Sequence, residues 1–429
     1  MEKKKIILIG AGLRGLQYTN IMFDLADRYE VVAVAEPVDD RREYIRKKHN
    51  IPEELCFTTW EPLLELPKLA DAAIIANMDR DHLAPTLIAI DKGYDILLEK
   101  PIAPTPEECI RIADFANQKG VKVLVCHVLR YTPFFNLLKK CIDDGVIGDV
   151  MSIQHAEHVG NLHQSHSFVR GNWGNSQESS CMVLQKICHD LDILQWLVDK
   201  PCRRIQSFGS LSYFTMANKP EGAPLRCIDG CPHADTCCYN AVEIYLDDSA
   251  NKWFRTAATK KIEPTDADVE KALRETDYGK CVFQCNNDVV DHQIVNMEFE
   301  GGITVNVTME AFNKGGRNIV IMGTKGEIRG NMSDDHISVY DFMTKEFREI
   351  KIEDAIVNEA ITGGHGGGDR GIVYSFYDLL TGNTESKSIC DVSVACANHM
   401  LSFAAEESRL TGKVIDVQEF VERVRKNMI

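Results

Sequence analysis

The sequence predicts an α/β protein whose N-terminal part is a doubly wound parallel sheet, and three observations carry that expectation. Short, continuously apolar runs alternate with amphipathic stretches over roughly the first 125 residues. A glycine-rich turn, Gly10-Ala11-Gly12-Leu13-Arg14-Gly15, joins the first apolar run to the first amphipathic stretch, and an acidic residue, Glu36, closes the second run. Runs that are apolar at every position suit strands buried on both faces, which requires helices above and below a parallel sheet. Right-handed crossovers then give the doubly wound order.

The strands are expected at Ile6–Ile9, Val31–Ala35, Ala72–Ala76, Asp95–Leu98 and Lys122–Val125, with helices over Arg14–Arg28, Asp81–Lys92 and Pro106–Lys119. Beyond about residue 130 the pattern changes. A helix over Phe134–Asp144 stops at Gly145, a strand covers Val150–Glu157, and one longer helix is expected over Cys181–Val198. His292–Phe299 and Ile303–Phe312 alternate apolar and polar residues around Gly301-Gly302, the mark of an antiparallel hairpin with one buried face. Arg317–Met322 and Glu327–Arg329 would extend that open, mostly antiparallel sheet. Helices over Asp369–Leu380 and Val392–Leu410, within a helical tail of about 369–426, would cover it or dock back on the first domain. Asn218–Asn240 and Lys260–Lys280 read as insertions. The division is a dinucleotide-binding domain over 1–128 and a substrate-binding and oligomerisation domain over 129–429.

A chain of 429 residues suits two cores. Its net charge of −16 repels polyphosphates, so neither nucleic acid nor an anionic membrane is an expected partner. No apolar run is long enough to cross a bilayer, and MEKKKIILIG leads straight into the glycine turn, as a first strand does and a signal peptide does not. Fifteen cysteines without an export signal point to a reducing compartment, the cytoplasm.

In a strand–turn–helix context Gly10, Gly12 and Gly15 give a tight turn, close approach of backbone to a pyrophosphate, and close packing of helix on strand. The N–H groups at the start of the helix, from Leu13 and Arg14, then face the phosphates. Glu36 stands where a carboxylate holds the adenosine ribose hydroxyls, which argues for NAD over NADP. Arg41 and Arg42 lie nearby and read as solvated helix charges. Asn77 and His82, after the third apolar run, join the cofactor-binding candidates. Glu99-Lys100-Pro101 follows Asp95–Leu98 at its carboxyl end, where open α/β sheets place ligands. Beside a cationic nicotinamide a lysine becomes a usable acid or base near neutrality.

Taken together, the glycine motif, the acidic residue and Glu-Lys-Pro resemble the Gfo/Idh/MocA family of sugar and cyclitol oxidoreductases. Arg130-Tyr131, Gly145-Val146-Ile147-Gly148-Asp149, Cys188-His189-Asp190-Leu191-Asp192 and Gly323-Thr324-Lys325-Gly326-Glu327 extend the resemblance over nearly the whole chain. It implies reversible hydride transfer between NAD(P) and a hydroxyl carbon of a sugar, sugar derivative or cyclitol, with Lys100 and His189 moving protons and Arg130 near the substrate. Relatives often carry Asp four residues before the helix histidine, and here that position is Gln185, followed by Lys186. On one continuous helix Gln185, Lys186 and His189 share a face, with Asp192 placed to orient the imidazole. A non-titrating Gln185 leaves a second reading open: a glycosidase that oxidises, eliminates, adds water and reduces on retained NAD. A third is a non-catalytic sugar or dinucleotide sensor.

Two polar segments are candidate substrate contacts. His163, His166, Arg170 and Trp173 fall in one loop, an indole beside cationic groups that suits a sugar ring. Gly363-Gly364-His365-Gly366-Gly367-Gly368-Asp369 places two ionisable groups in a run nearly free of side chains, with Asp369 set to cap the next helix. Cys227, Cys231 and Cys237, with His233 among them, form a candidate structural zinc site, which Cys281 and Cys285 join if the insertions meet. Buried thiols, a disulfide or an iron–sulfur cluster are the competing readings. An open sheet leaves a face to bury, so a homodimer or homotetramer is expected.

Overall fold

A computed structural model describes residues 2–428 apart from 248, 356–363, 384–385 and 387. The first sheet holds β1 (Lys4–Ile9), β2 (Tyr29–Ala35), β3 (Cys56–Phe57), β4 (Ala72–Ile75), β5 (Asp95–Leu98) and β6 (Val123–Val125). All are parallel, in the order β3-β2-β1-β4-β5-β6. The order reverses between β1 and β4, which opens a crevice at the carboxyl ends of the strands. Ile6, Ile7, Leu8, Ala72, Ala73, Ile74, Ile75, Leu97 and Leu98 have no exposed surface, as strands covered on both faces require. The two-residue strand β3 is too short to leave a periodic signal.

The second sheet contains β7 (Val150–His158), β8 (Cys202–Ser210), β9 (His292–Phe299), β10 (Thr304–Glu310), β11 (Gly316–Gly323), β12 (Gly326–Asn331), β13 (His336–Asp341), β14 (Glu346–Lys351) and β15 (Ile415–Asp416). Its order is β14-β13-β12-β11-β7-β10-β9-β8-β15. Every pairing is antiparallel except that of β10 with β7. Gly301 and Gly302 form the β9–β10 turn with φ of 82° and 78°, angles that favour glycine. One sheet face carries helix Cys188–Val198 and the long helix Val392–Thr411. Helix Gly368–Leu380 instead docks on the first domain, where the Tyr29 hydroxyl donates to the Val373 carbonyl at 2.6 Å.

Two elements differ from expectation. The helix foreseen over Cys181–Val198 is two helices, Met182–Gln185 and Cys188–Val198, broken at Lys186 and Ile187. The insertions foreseen over 218–240 and 260–280 belong to one excursion between β8 and β9, which carries helices Ala241–Leu246, Lys252–Thr259 and Asp266–Glu275. This excursion has apolar cores of its own. One is built on Phe214, Tyr239, Val282 and Phe283, the other on Tyr245, Phe254, Val269 and Leu273.

Candidate active site

The glycine turn is built as the dinucleotide reading requires. A Cβ on Gly15 would fall 2.0 Å from the Gly10 carbonyl oxygen, and one on Gly10, with φ of +88°, would strike Ala76 and Asn77. A Cβ on Gly12 would meet nothing within 4 Å. Gly12 is also the N-cap of helix Leu13–Asp24, and no side chain caps it. The helix therefore begins with its N–H groups facing open space, a fit for a diphosphate. Glu36 is buried with Oε2 accepting from the Ala11 N–H at 2.6 Å and Oε1 from the Val38 N–H at 2.9 Å. Each oxygen keeps a second lone pair for a ribose hydroxyl.

Around this cradle some side chains face away from it. Arg42 donates to the Glu36 carbonyl at 2.7 Å and pairs with Asp39, while Arg41 is half-buried with Nε lacking a partner. Neither is the fully solvated charge expected from sequence. His82 is buried, with ring nitrogens 2.9 Å from the Pro101 carbonyl and 3.2 Å from that of Asn77. It ties the β4 loop to the Lys100–Pro101 turn, whose peptide is cis. The Asn77 side-chain amide donates to the Asp81 carbonyl at 2.9 Å.

Glu99 and Lys100 follow β5 and hold different partners. Glu99 accepts from Arg14 Nε at 2.8 Å, from the Tyr18 hydroxyl at 2.5 Å and from the Lys100 N–H at 2.9 Å. Burial would raise this carboxyl, but Arg14 and Tyr18 outweigh it and hold Glu99 below its usual value. Arg14 also pairs with Asp369 at 2.7 Å, and Asp369 lies 3.1 Å from His365 Nδ1. Asp369 is thus turned inward to Arg14 and His365. It does not cap its helix, whose N-cap is Gly367 with no side-chain bond. His365, at φ of 51°, remains exposed at the edge of this cluster; Gly363 of the same run lies outside the described residues.

Lys100 Nζ donates to the Gln185 carbonyl at 2.7 Å, which spans the two domains. The Gln185 amide does not face Lys100; it donates to Ser179 Oγ at 2.6 Å and to Asp79. Lys186, displaced by the helix break, pairs with Glu157 at 2.9 Å. His189 is buried, and its Nδ1 has no hydrogen-bond partner. Burial, then Lys100 and, less, the neighbouring His127, Arg317 and His365, hold it well below the usual histidine range, so the ring is neutral. Asp192 does not orient it. That carboxylate accepts a bidentate pair from Arg130, at 2.7 and 2.9 Å, and an N–H from Asn398 at 2.6 Å. Arg130 is therefore held in a buried ion pair.

In the 163–173 loop, His163 packs edge-on against Trp253 of the excursion at 5.1 Å, and burial, then Lys186, His166, Arg317 and Lys100, lower it well below the usual range. His166 stacks on Phe254 at 4.1 Å and meets the Tyr245 hydroxyl at 2.7 Å inside the excursion. Arg170 donates to the carbonyls of Lys280 and Tyr239 at 2.8 and 2.6 Å, and Trp173 packs near Phe168. His166 and Arg170 are anchors of the excursion. Sequence reasoning missed Glu157, Asp190 and Arg317, which complete the floor beside His189. Arg317 pairs with both carboxylates at 2.8 Å, and His155 lies 2.7 Å from Asp190. The available signal was polar His155 and Glu157 on the buried phase of β7.

Comparison with known proteins agrees with this geometry. The profile of the Gfo/Idh/MocA oxidoreductase family's NAD-binding Rossmann fold matches residues 4–127, and that of its C-terminal alpha/beta domain matches 139–383. The chain belongs to the Gfo/Idh/MocA oxidoreductase family. It is 24% identical over 391 residues to YteT of Bacillus subtilis, described as an oxidoreductase, covering 85% of this chain and 86% of YteT. It is 27% identical over 203 residues to inositol 2-dehydrogenase of Klebsiella pneumoniae, covering 47% of this chain and 56% of the dehydrogenase. The solved structure of levoglucosan dehydrogenase with NADH and levoglucosan superposes with a TM-score of 0.70 over 97% of this chain and 100% of the other. At 16% identity that likeness shows the fold alone. The chain is an oxidoreductase of this family with an NAD-binding Rossmann domain, and no helix among the described residues is long and apolar enough to cross a membrane.

Proposed function

We propose that this oxidoreductase transfers a hydride between NAD and a hydroxyl carbon of a sugar, sugar derivative or cyclitol, with Lys100 and His189 as its proton-handling residues. The supporting observation is the convergence of a lysine from the first domain and a neutral histidine from the second at the carboxyl end of β5. The Gly10–Gly15 turn and Glu36 would hold NAD, which would supply the hydride acceptor when bound. Lys100 is oriented by the Gln185 carbonyl and keeps two further N–H donors for a substrate hydroxyl. His189, neutral and short of a partner, accepts a proton as the hydroxyl is oxidised and returns it in reverse. Arg317, paired with Glu157 and Asp190, adds fixed positive charge that favours an oxygen gaining negative character. NAD over NADP follows from the Glu36 carboxylate, which repels a 2′-phosphate.

A second reading has its own support. The excursion crosses to the first domain, where the Ile262 N–H donates to Asp40 Oδ2 at 2.7 Å, just past Glu36, and Ile262 packs on the first domain's core. Arg80 donates to the Ser176 carbonyl at 3.0 Å across the same cleft. A cofactor fastened at its adenosine end leaves slowly, which suits a cycle that oxidises, eliminates, hydrates and reduces a glycoside in place. Incubating the protein with NAD, free sugars, inositols and nitrophenyl glycosides separates the two. NADH growth with a free polyol supports the dehydrogenase; nitrophenol without NADH supports the glycosidase. No turnover with bound NAD would leave the sensor.

For assembly, a homodimer or homotetramer through the outer face of the second sheet is the reading supported by exposed Met151, Phe208 and Ile294 on β7, β8 and β9. Phe208→Glu should lower the mass measured by light scattering; an unchanged mass would move the interface elsewhere.

A further inference from the structure

The excursion carries a cysteine cluster that the reaction does not use. Cys227, Cys231, Cys237 and Cys281 line one pocket together with Arg170, His233, Tyr239 and Phe283. Local structure brings them together from separate segments. Cys227 opens a short helical turn that Gly230, at φ of 79°, reverses toward Cys231. The Cys237 N–H donates to the His233 carbonyl at 2.9 Å, which bends the chain back. An antiparallel bridge between Arg226 and Lys280, with the Cys281 N–H on the Leu225 carbonyl at 2.9 Å, delivers Cys281 beside Cys227 from more than 50 residues away.

A second, independent feature points to what the pocket holds. Arg170 is only 3% exposed, yet its Nη1 has no hydrogen-bond partner, and its Nη2 lies 3.7 Å from Cys227 Sγ. A buried guanidinium that faces a thiol gains only a weak sulfur acceptor there. The same cation beside thiolates is satisfied, because metal-bound sulfur is anionic and accepts N–H bonds.

We propose that Cys227, Cys231, Cys237 and Cys281 form a four-thiolate centre for a thiophilic metal, zinc or the iron of an iron–sulfur cluster, with Arg170 offsetting its charge. Binding releases the thiol protons and needs no change of oxidation state at sulfur. A lone zinc, at about 2.3 Å from each sulfur, draws its ligands to roughly 3.8 Å from one another. Among the described residues the trio of potential ligand atoms found within 4.8 Å of one another is His127, Asp192 and Cys390, elsewhere in the protein. No three of the pocket's sulfurs lie within 4.8 Å of one another, so a single zinc would bind only by drawing the loops inward. His233 lines the pocket with Nε2 2.7 Å from the Glu221 carbonyl, and Cys238 is exposed. Neither belongs to the proposed set.

The full-length protein, purified with and without air, would be assayed for zinc, iron and acid-labile sulfide. About one zinc per chain, or about four irons with matching sulfide and a broad absorbance near 400 nm, supports the centre and identifies its metal. Cys231→Ser and Cys281→Ser should each lose most of the metal, while Cys238→Ser and His233→Ala keep it. Titrating the native protein with an organomercurial avoids variants that fail to fold: metal should leave in step with about four thiols. Folded protein free of both metals overturns the proposal, as does a metal that survives Cys281→Ser and leaves with His233→Ala.

Discussion

Two alanine substitutions in one turn should have opposite consequences. Gly12 has φ of −64° and ψ of −174°, ordinary for any residue, and its added Cβ meets nothing in the protein. Gly12→Ala should therefore change stability by less than ~1 kcal/mol, the stiffer unfolded chain offsetting the poorer N-cap. The methyl group projects into the space where the diphosphate would lie against the helix N-terminus, so NAD should bind about 10–100-fold more weakly, ~1.4–2.8 kcal/mol. Gly15→Ala places a Cβ 2.0 Å from the Gly10 oxygen, well inside contact distance, and the helix must move off β1. Overpacking of this kind costs about 1–3 kcal/mol or more, and lowers the melting temperature by roughly 2–4 °C for each kcal/mol. Calorimetric titration with NAD and thermal unfolding of both variants measure the contrast. A Gly12→Ala protein that binds NAD within twofold of the parent, beside a Gly15→Ala protein that melts like the parent, would refute the cradle.

Lys100→Met should retain NAD binding and lose about 10²–10⁴-fold in kcat/KM, measured by NADH absorbance once a substrate is found; near-normal turnover would remove Lys100 from the chemistry. Arg130→Met leaves Asp192 buried without its cation, so unfolding by denaturant should show a loss of about 3–5 kcal/mol with KM of the surviving protein within twofold. A large rise in KM at unchanged stability would restore Arg130 to the substrate site. Burial places His127 at about 4 and His166 and His399 at about 3, against an ordinary 6.5. The unfolded chain binds these protons first, so the stability they contribute is full above about pH 6.5 and drains away as pH falls, by ~2 kcal/mol for each histidine near pH 5. Thermal melts at about pH 7 and 5 should differ sharply, and equal melts would contradict the neutral buried state.

What the sequence made legible was local. Five of the six strands of the first sheet show because each is a continuous apolar run, and helix Pro106–Lys119 shows because Thr105 and Pro106 open it and Gly120 closes it at φ of 67°. β13 and β14 left little trace, since β14 is exposed along most of its length and has no face to bury. No glycine or proline marks the helix break at Lys186 and Ile187; the break coincides with the pull of Lys186 to Glu157, a partner on a strand remote in sequence. The same holds for charge. Arg14 reaches Glu99 across 85 positions and Asp369 across 355, so a residue assigned to the cofactor and one assigned to the substrate prove to be one ion pair joining the domains. Lys100 to the Gln185 carbonyl, and Gln185 and Ser179 to Asp79, cross the same cleft. Residue type and spacing can mark a side chain as ionisable and well placed, but whether it faces ligand or protein depends on partners that only the folded chain supplies. That is why the glycine turn, whose geometry lies in its own backbone, is legible in detail, while Arg130, Arg170 and Asp369 are legible as ionisable groups and their buried protein partners are not.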